Sequence, residues 1–386
     1  MTGTDPWDVA VVGAGVVGAA TAWALARRGA RVVVLEQFEP GHPWGASHGR
    51  ARIFRTAYAD ALYVELARAA LPLWRELERQ GGVEVLTLTG GVDHGEAAAI
   101  AGIAAALQAA GEPHERVTAA EAAARWPGLA LDDPVLHHER AGRIDADAAV
   151  RAFLDVAVAA GAQLRTAAAV TAVEARAEDD VRLVTETGTV HARHAVLAAG
   201  GWTADLAAHV PGLRLPPLRL TQEQPALFPA VLPPTGSGPW PTFVHHTADP
   251  ADGVYGLAGP EGVKVGRHGV GPVVRPQDRA RDAARVDAAE LARLVGYARH
   301  RLPGVDAARA VAQTCTYTST PDAHFVVDGA GPVTVAAGFS GHGFKFAPAL
   351  GELVAHRVPG AFGGGAIPAL TPDLLERALH RFRGDR

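Results

Sequence analysis

The 386-residue chain keeps one cysteine, Cys315, one methionine, Met1, and two lysines, Lys264 and Lys345, among its 36 Lys and Arg residues. A cysteine sulfur can act as a nucleophile, and an ammonium is a compact point charge that a guanidinium does not replace. The few positions that retain these side chains are therefore the first places to look for chemistry. A second group lies near the start: Gly13-x-Gly15-x-x-Gly18, with Glu36 following 18 residues after Gly18. Glycines at this spacing allow a tight turn, a close backbone approach to a pyrophosphate, and close packing of a helix on a strand. The helix N-terminus then offers free N–H groups and a partial positive charge to the phosphates, and the acid accepts from a ribose diol.

These residues need elements to position them. Val9–Val12 reads as a strand, the glycine turn follows, a helix runs to about Arg28 and closes at Gly29, and a second strand, Arg31–Leu35, ends at Glu36. The uncharged run from Val9 to Ala26 is long enough for a minimal membrane span, but its glycines fit the strand–turn–helix reading better. No basic segment precedes it, so it is not read as a signal peptide. Leu62, Leu66, Ala70, Leu73 and Leu77 recur at helical spacing, with Pro72 expected to kink or split that helix. Residues 83–94 read as strands, Ala97–Ala110 as a helix, and Thr118-x-x-Glu121 as a capping box. Asp145 caps a helix to Ala160. Val181–Glu186 and Thr189–Ala192 form a hairpin, and Ala195–Ala199 is a buried strand stopping at Gly200-Gly201. Residues 210–275 are rich in Pro and Gly with short strands. Asp287–Arg301 is a helix, Val311–Tyr317 and Val333–Ala336 are strands, and Gly338–Lys345 is a glycine-rich loop leading into a helix over about Pro348–His356. Thr371-Pro372 opens the last helix.

Composition narrows the class. Hydrophobic residues at 48% exclude disorder as the main state, and a net charge of −5 makes nucleic acid an unexpected partner. A single cysteine allows no internal disulfide, so a cytoplasmic location is expected and no membrane partner is foreseen. It also removes a zinc–thiolate site, and no His, Asp and Glu residues recur at metal-ligand spacing, so no metal is expected. The chain suits an α/β protein with a Rossmann-like FAD-binding domain assembled from residues 1–82, 143–213 and 312–386. Residues 83–142 and 214–311 then form a β-rich α+β substrate domain. The glycine fingerprint alone does not separate NAD from FAD. Ala195–Trp202, which resembles the second glycine-containing strand of flavoprotein amine oxidases, and the unit Val333–Ala347 favour FAD.

Four segments carry a more specific resemblance. They are Gly45-Ala-Ser-His48-Gly-Arg-Ala-Arg52-Ile-Phe-Arg55, Gly262-Val-Lys264-Val-Gly-Arg-His268, Thr314-Cys315-Thr-Tyr317-Thr-Ser-Thr-Pro-Asp-Ala-His-Phe, and Gly338-Phe-Ser-Gly-His342-Gly-Phe-Lys345-Phe. In this order they resemble the monomeric sarcosine oxidase and N-methyltryptophan oxidase family of flavoprotein amine oxidases, over nearly the whole length. The resemblance implies oxidation of a secondary or N-methyl amino acid by hydride transfer to FAD, imine hydrolysis, and return of the electrons to O2 as hydrogen peroxide. It implies that Cys315 is bonded through sulfur to the flavin and that Lys264 stands where oxygen is reduced. Arg55 and Lys345 are implied to bind the substrate carboxylate. Tyr255, Tyr317 and His268 line the substrate cavity, and His48 and Arg52 lie close to the ring. Gly200, Gly341, His342, Gly343, Phe344 and Lys345 fall in segments that meet the cofactor. A monomer acting on a small amino acid is expected.

Two departures bear on the substrate more than on the chemistry: Arg50-Ala51 stands where the family often has Asp-Thr, and the stretch from Tyr255 to Lys264 is about two residues shorter than in sarcosine oxidases. A cyclic, glycated or other amino acid is the alternative substrate, with a dehydrogenase as the alternative to an oxidase. A positive pocket disfavours the ammonium form of a bound amine, and the four segments offer no obvious carboxylate as a base, so none is expected.

Overall fold

The computed structural model describes residues 6–231, 240–281, 285–360 and 369–384. Part of the Pro/Gly-rich stretch, residues 232–239, lies outside them. Trp7–Val12, Val32–Leu35 and Gln163–Arg165 pair in parallel, and on the other side Trp7–Val12 pairs in parallel with Gly188–Leu197 and that strand with Val333–Ala337. Val326–Ala330 closes the edge antiparallel. Period-2 alternation divides the strands between two cores. Val9, Val11, Val32 and Val34 face one, and Ala10, Val12, Val33 and Leu35 face the other. The first core is covered by the helices Val16–Ala26, Ala61–Gly81, Ala146–Ala159 and Ala347–Arg357. Every residue of Val16–Ala26 is buried, which explains its uncharged sequence without a membrane. Among the described residues no helix is long and apolar enough to cross one.

A second sheet runs Val311–Ala312, Ala226–Phe228, Gly262–Arg267, Val254–Gly259, Thr242–His246, Gly91–Gly95, Val135–His138, Glu115–Val117. It is antiparallel except between Thr242–His246 and Gly91–Gly95. The helix Ala288–Arg301 packs Leu294 and Ala298 into its core. Two smaller pairings join the layers: Arg52–Arg55 beside Ala141–Ile144 beside Leu86–Leu88, and Arg219–Glu223 beside Cys315–Ser319.

The expected caps are present. Thr118 and Glu121 form both halves of the capping box, and Asp145 and Thr371 each accept from a backbone N–H in the first turn of their helix; Asp287, read only as the start of its helix, caps it in the same way. Three expectations are corrected. Pro72 does not split its helix, which runs from Ala61 to Gly81, because Leu66, Ala70, Leu73, Trp74 and Leu77 around it are buried against the sheet-covering helices. Packing of that face outweighs one lost backbone hydrogen bond. Thr189–Ala192 and Ala195–Ala199 are one strand, Gly188–Leu197, which is paired to the hairpin in its first half and to Trp7–Val12 and Val333–Ala337 in its second. Val311–Tyr317, in contrast, is two strands in two sheets, Val311–Ala312 and Cys315–Ser319, broken at Gln313-Thr314.

The helices Val16–Ala26 and Ala347–Arg357 pack closely at Gly351, where an added Cβ would lie 2.5 Å from the Ala20 carbonyl oxygen. Gly351→Ala should force the helices Val16–Ala26 and Ala347–Arg357 apart and destabilise the protein by about 1–3 kcal/mol. The urea unfolding midpoint reads this; an unchanged midpoint contradicts the contact.

Candidate functional site

The glycine turn is built as its spacing requires. Gly13 has φ +101°, and an added Cβ would meet the Ala198 carbonyl oxygen at 2.6 Å. Gly18 packs on the Gly13 carbonyl and does not face the cleft, whereas Gly13 and Gly15 do. Glu36 is buried at the end of its strand and accepts from the Ala14 N–H at 2.7 Å and the Phe38 N–H at 3.0 Å. Ser47 Oγ accepts from the Val16 N–H at 3.0 Å, which ties the loop after the second strand to the helix N-terminus. From here a cleft of about 520 Å³ runs past Gly200 and Trp202 on one side and His48, Arg52, Cys315 and Tyr317 on the other, to Gly341, Gly343 and Phe344. Gly341 has φ +73°, and a Cβ there would strike the Tyr317 ring at 2.3 Å, so only glycine lets this loop lie against that ring.

A second cleft, about 360 Å³, opens behind the same wall and is lined by Lys264, Gly262 and Pro225. His48, Arg52 and Cys315 border both clefts. The wall owes its position to the strand break: Cys315 opens the strand Cys315–Ser319, opposite Glu223, and is buried. Arg52 donates to the carbonyls of Ala46, His48 and Ala51 at 2.7–2.9 Å, and its guanidinium sits 5.8 Å from the Phe344 ring centroid. Lys264 Nζ reaches the Ala51 carbonyl at 3.5 Å. Burial, followed by the Arg52 charge, lowers the Lys264 ammonium from 10.5 to about 7. Burial and the charges of Arg52, Lys264 and Arg279 lower His48 to about 3, so its ring is neutral. Its Nε2 is buried and has no hydrogen-bond partner among the described residues.

The remaining expected residues gather around Tyr58, which the sequence reading did not single out. Lys345 Nζ donates to the Tyr58 hydroxyl and to the His342 carbonyl, each at 2.8 Å. The Arg55 guanidinium lies 4.6 Å from the Tyr58 ring centroid. Burial, then the Arg55 charge, pushes Lys345 well below its usual range, and burial raises the Tyr58 hydroxyl to about 12. His268 packs on Tyr317 at 5.1 Å between ring centroids, within the field of Lys345 and Arg55. Burial raises the Tyr255 and Tyr317 phenols. The His342 imidazole turns away from the large cleft into the aromatic cluster of Tyr63, Phe325 and Phe346 and reaches the Ala323 carbonyl at 3.1 Å. Lys345 and His342 therefore do not line that cleft, whereas Gly341, Gly343 and Phe344 do.

Two further residues escaped the sequence reading. Asp93, in Gly91–Gly95, bonds Arg55 at 3.1 Å. Arg279 is buried, has no acid partner among the described residues, and ties the Pro43 carbonyl to Gln222 and Thr314 beside Cys315. A polar residue alternating with buried neighbours between two strand glycines was the only available signal for Asp93. Away from both clefts, His94, Asp132 and His245 lie at metal-compatible distances, but Arg301 bonds Asp132 at 2.6 Å and supplies a cation there.

A dinucleotide fits the large cleft. A Cβ at Gly13 would collide with backbone, the helix N-terminus opens onto the cleft, and His48, whose buried Nε2 has no partner among the described residues, lines it. Fold and cleft together define a dinucleotide-dependent oxidoreductase. The family model described as "FAD dependent oxidoreductase" matches residues 8–357. The chain belongs to this family, within the group of the monomeric sarcosine oxidases and N-methyltryptophan oxidases, and is an FAD-dependent oxidoreductase. It is 36% identical over 368 residues to a monomeric sarcosine oxidase of Streptomyces avermitilis, covering 90% of this chain and 92% of that one. It is 31% identical over 382 residues to an N-methyl-L-tryptophan oxidase of Salmonella newport, covering 96% and 99%. Among solved structures it resembles NikD, an amino acid oxidase essential for nikkomycin biosynthesis, with a TM-score of 0.80, 27% identity and coverage of 96% and 97%. It also resembles glycine oxidase from Geobacillus kaustophilus, with a TM-score of 0.76, 25% identity and coverage of 93% and 97%.

The lowered Lys264 pKa has a stability consequence. Below about 7 the folded state holds a charge that burial opposes, while the unfolded chain holds it freely up to about 10.4. The stability contribution of Lys264 therefore rises as the pH climbs between those values. Lys264→Met should raise the unfolding free energy at pH 6 by more than about 1 kcal/mol, with the gain shrinking towards pH 10. A gain independent of pH in urea titrations contradicts the assignment.

Proposed function

We propose that the protein oxidises a secondary or N-methyl amino acid and reduces O2 to hydrogen peroxide. The observation that carries the reading is the shared wall: His48, Arg52 and Cys315 border both the cleft of the glycine turn and the cleft that holds Lys264. Bound FAD would supply a two-electron acceptor for the hydride lost from the carbon beside the amine nitrogen, with O2 as the final acceptor and an imine, hydrolysed by water, as the product. Gly13, Gly15 and Glu36 would hold its pyrophosphate and ribose, and Gly200, Gly341, Gly343 and Phe344 would border the rest. Cys315 would hold the flavin through a sulfur–carbon bond, whose formation releases two protons and passes two electrons through the flavin to O2.

The side chains divide the remaining work. Arg55 and Lys345 take the α-carboxylate, one as a planar fork and one as a point charge. Their positive field disfavours the ammonium form of the amine, so carboxylate binding exposes the nitrogen lone pair that hydride loss requires. Tyr255, Tyr317 and His268 bound the substrate cavity. Asp93 is committed to Arg55, and Glu223 accepts from Thr221, Val270 and Gly271, so neither carboxylate is free to act as a base. Lys264 stands beside dioxygen, where a fixed cation stabilises developing negative charge, and Arg52 and His48 complete that wall. Residues 1–82, 143–213 and 312–386 carry the cofactor, and residues 83–142 and 214–311 shape the substrate side. The protein works as a cytoplasmic monomer.

Acid precipitation tests the tether: the yellow colour should stay in the pellet for the wild type and move to the supernatant for Cys315→Ala. Colour in the wild-type supernatant contradicts the bond. Anaerobic bleaching of the flavin across N-methyl, cyclic and glycated amino acids tests the substrate. N-methyl compounds should bleach fastest, with one peroxide formed per turnover in air, and preferential bleaching by a cyclic or glycated compound reassigns it.

A further inference from the structure

We propose that Asp93 is a positioning residue for carboxylate recognition: it pins one amino group of Arg55 so that the opposite edge of the guanidinium, Nε and Nη2, faces the substrate α-carboxylate. The proposal rests on the amino acid reading above and deepens it. Asp93 is 1% exposed and accepts from three groups, Arg55 Nη1 at 3.1 Å, His246 Nε2 at 2.8 Å and His138 Nε2 at 3.0 Å. Arg55 Nη1 also donates to the Ala57 carbonyl, and the guanidinium face lies over Tyr58. One amino group is thus doubly held and one face covered. Arg55 Nε and Nη2 have no acceptor among the described residues. That edge is the one whose two parallel N–H groups match a carboxylate in a bidentate pair.

The two histidines make Asp93 a fixed anion and not a proton carrier. His138 Nε2 lies 3.0 Å from an Asp93 carboxylate oxygen, which can only accept, and its Nδ1 is buried without a partner among the described residues. Burial opposes ionisation of Asp93, yet the Arg55 charge and the two imidazole bonds hold its carboxyl far below the usual range. Arg55 is therefore ordered before substrate arrives, and the loss of side-chain freedom falls on folding and not on binding. Asp93, His138 and His246 come from three neighbouring strands of the eight-stranded sheet, so the clamp is anchored in a rigid layer.

The test titrates the flavin absorption of wild-type, Asp93→Asn and Arg55→Met holoprotein with acetate and with acetamide. Asp93→Asn should weaken acetate about 10- to 100-fold while leaving acetamide within about twofold, and should raise KM for the amino acid more than it lowers kcat. Unchanged acetate affinity in Asp93→Asn, with a loss in Arg55→Met, overturns the proposal alone. Equal weakening of acetate and acetamide in Asp93→Asn also overturns it, because it shows a purely structural link. Unchanged acetate affinity in both variants overturns the carboxylate reading itself. A measurement on the ligand-free wild type does not depend on Asp93→Asn folding. Arg55 Nη1 and Nη2, assigned by their loss in Arg55→Met, should give separate nitrogen NMR resonances; one averaged resonance overturns the clamp.

Discussion

Burying cations without matching acids is the constraint on which this site rests. Among the described residues, Arg52, Lys264, Arg279 and Lys345 bond carbonyls, hydroxyls and an amide side chain, and none of them forms an ion pair. Desolvating one ion opposes folding by several kcal/mol, to order of magnitude, and carbonyl dipoles offset only part of that. An arrangement of this kind is stabilised by an anionic occupant, and the proposed chemistry brings three: the cofactor phosphates, the substrate carboxylate and reduced dioxygen. Asp93 is the exception, and its position on Arg55 alone keeps one cation ordered while the others stay available.

The topology sets Arg52 in the wall shared by the two clefts and Lys264 in the smaller of them. The parallel sheet delivers the glycine turn and Glu36 at the carboxyl ends of its strands, where such folds bind dinucleotides. The eight-stranded sheet delivers Lys264 from Gly262–Arg267 and Asp93 from Gly91–Gly95. The short pair Arg219–Glu223 and Cys315–Ser319 stands between them, and its break from Val311–Ala312 sets where Cys315 and Tyr317 fall.

Features encoded within a few residues were legible in the sequence. The glycine turn, Glu36, the caps at Thr118, Asp145 and Thr371 and the two lysines all follow from local spacing or from rarity, and the resemblance singled out the clustered motif residues. What the sequence hid depends on distant partners. Arg55 and Asp93 are 38 residues apart, and Arg279 meets the Pro43 carbonyl across 236 residues. The Pro72 helix and the division of residues 311–317 were misread for the same reason: local propensity was overruled by the layer each segment packs against. His342 shows the limit of motif reading, since its glycine neighbours face the cleft while its own ring turns into an aromatic cluster.

The central claim is that the two half-reactions use different cations, with amine oxidation depending on Arg55 and Lys345 and oxygen reduction on Lys264. Rapid-mixing kinetics of Lys264→Met tests it most directly, because anaerobic reduction by substrate and reoxidation by O2 are measured separately in one protein. The account predicts reoxidation slowed by about 100-fold or more, with reduction changed only a few-fold. Equal slowing of both half-reactions, or undiminished reoxidation, contradicts it.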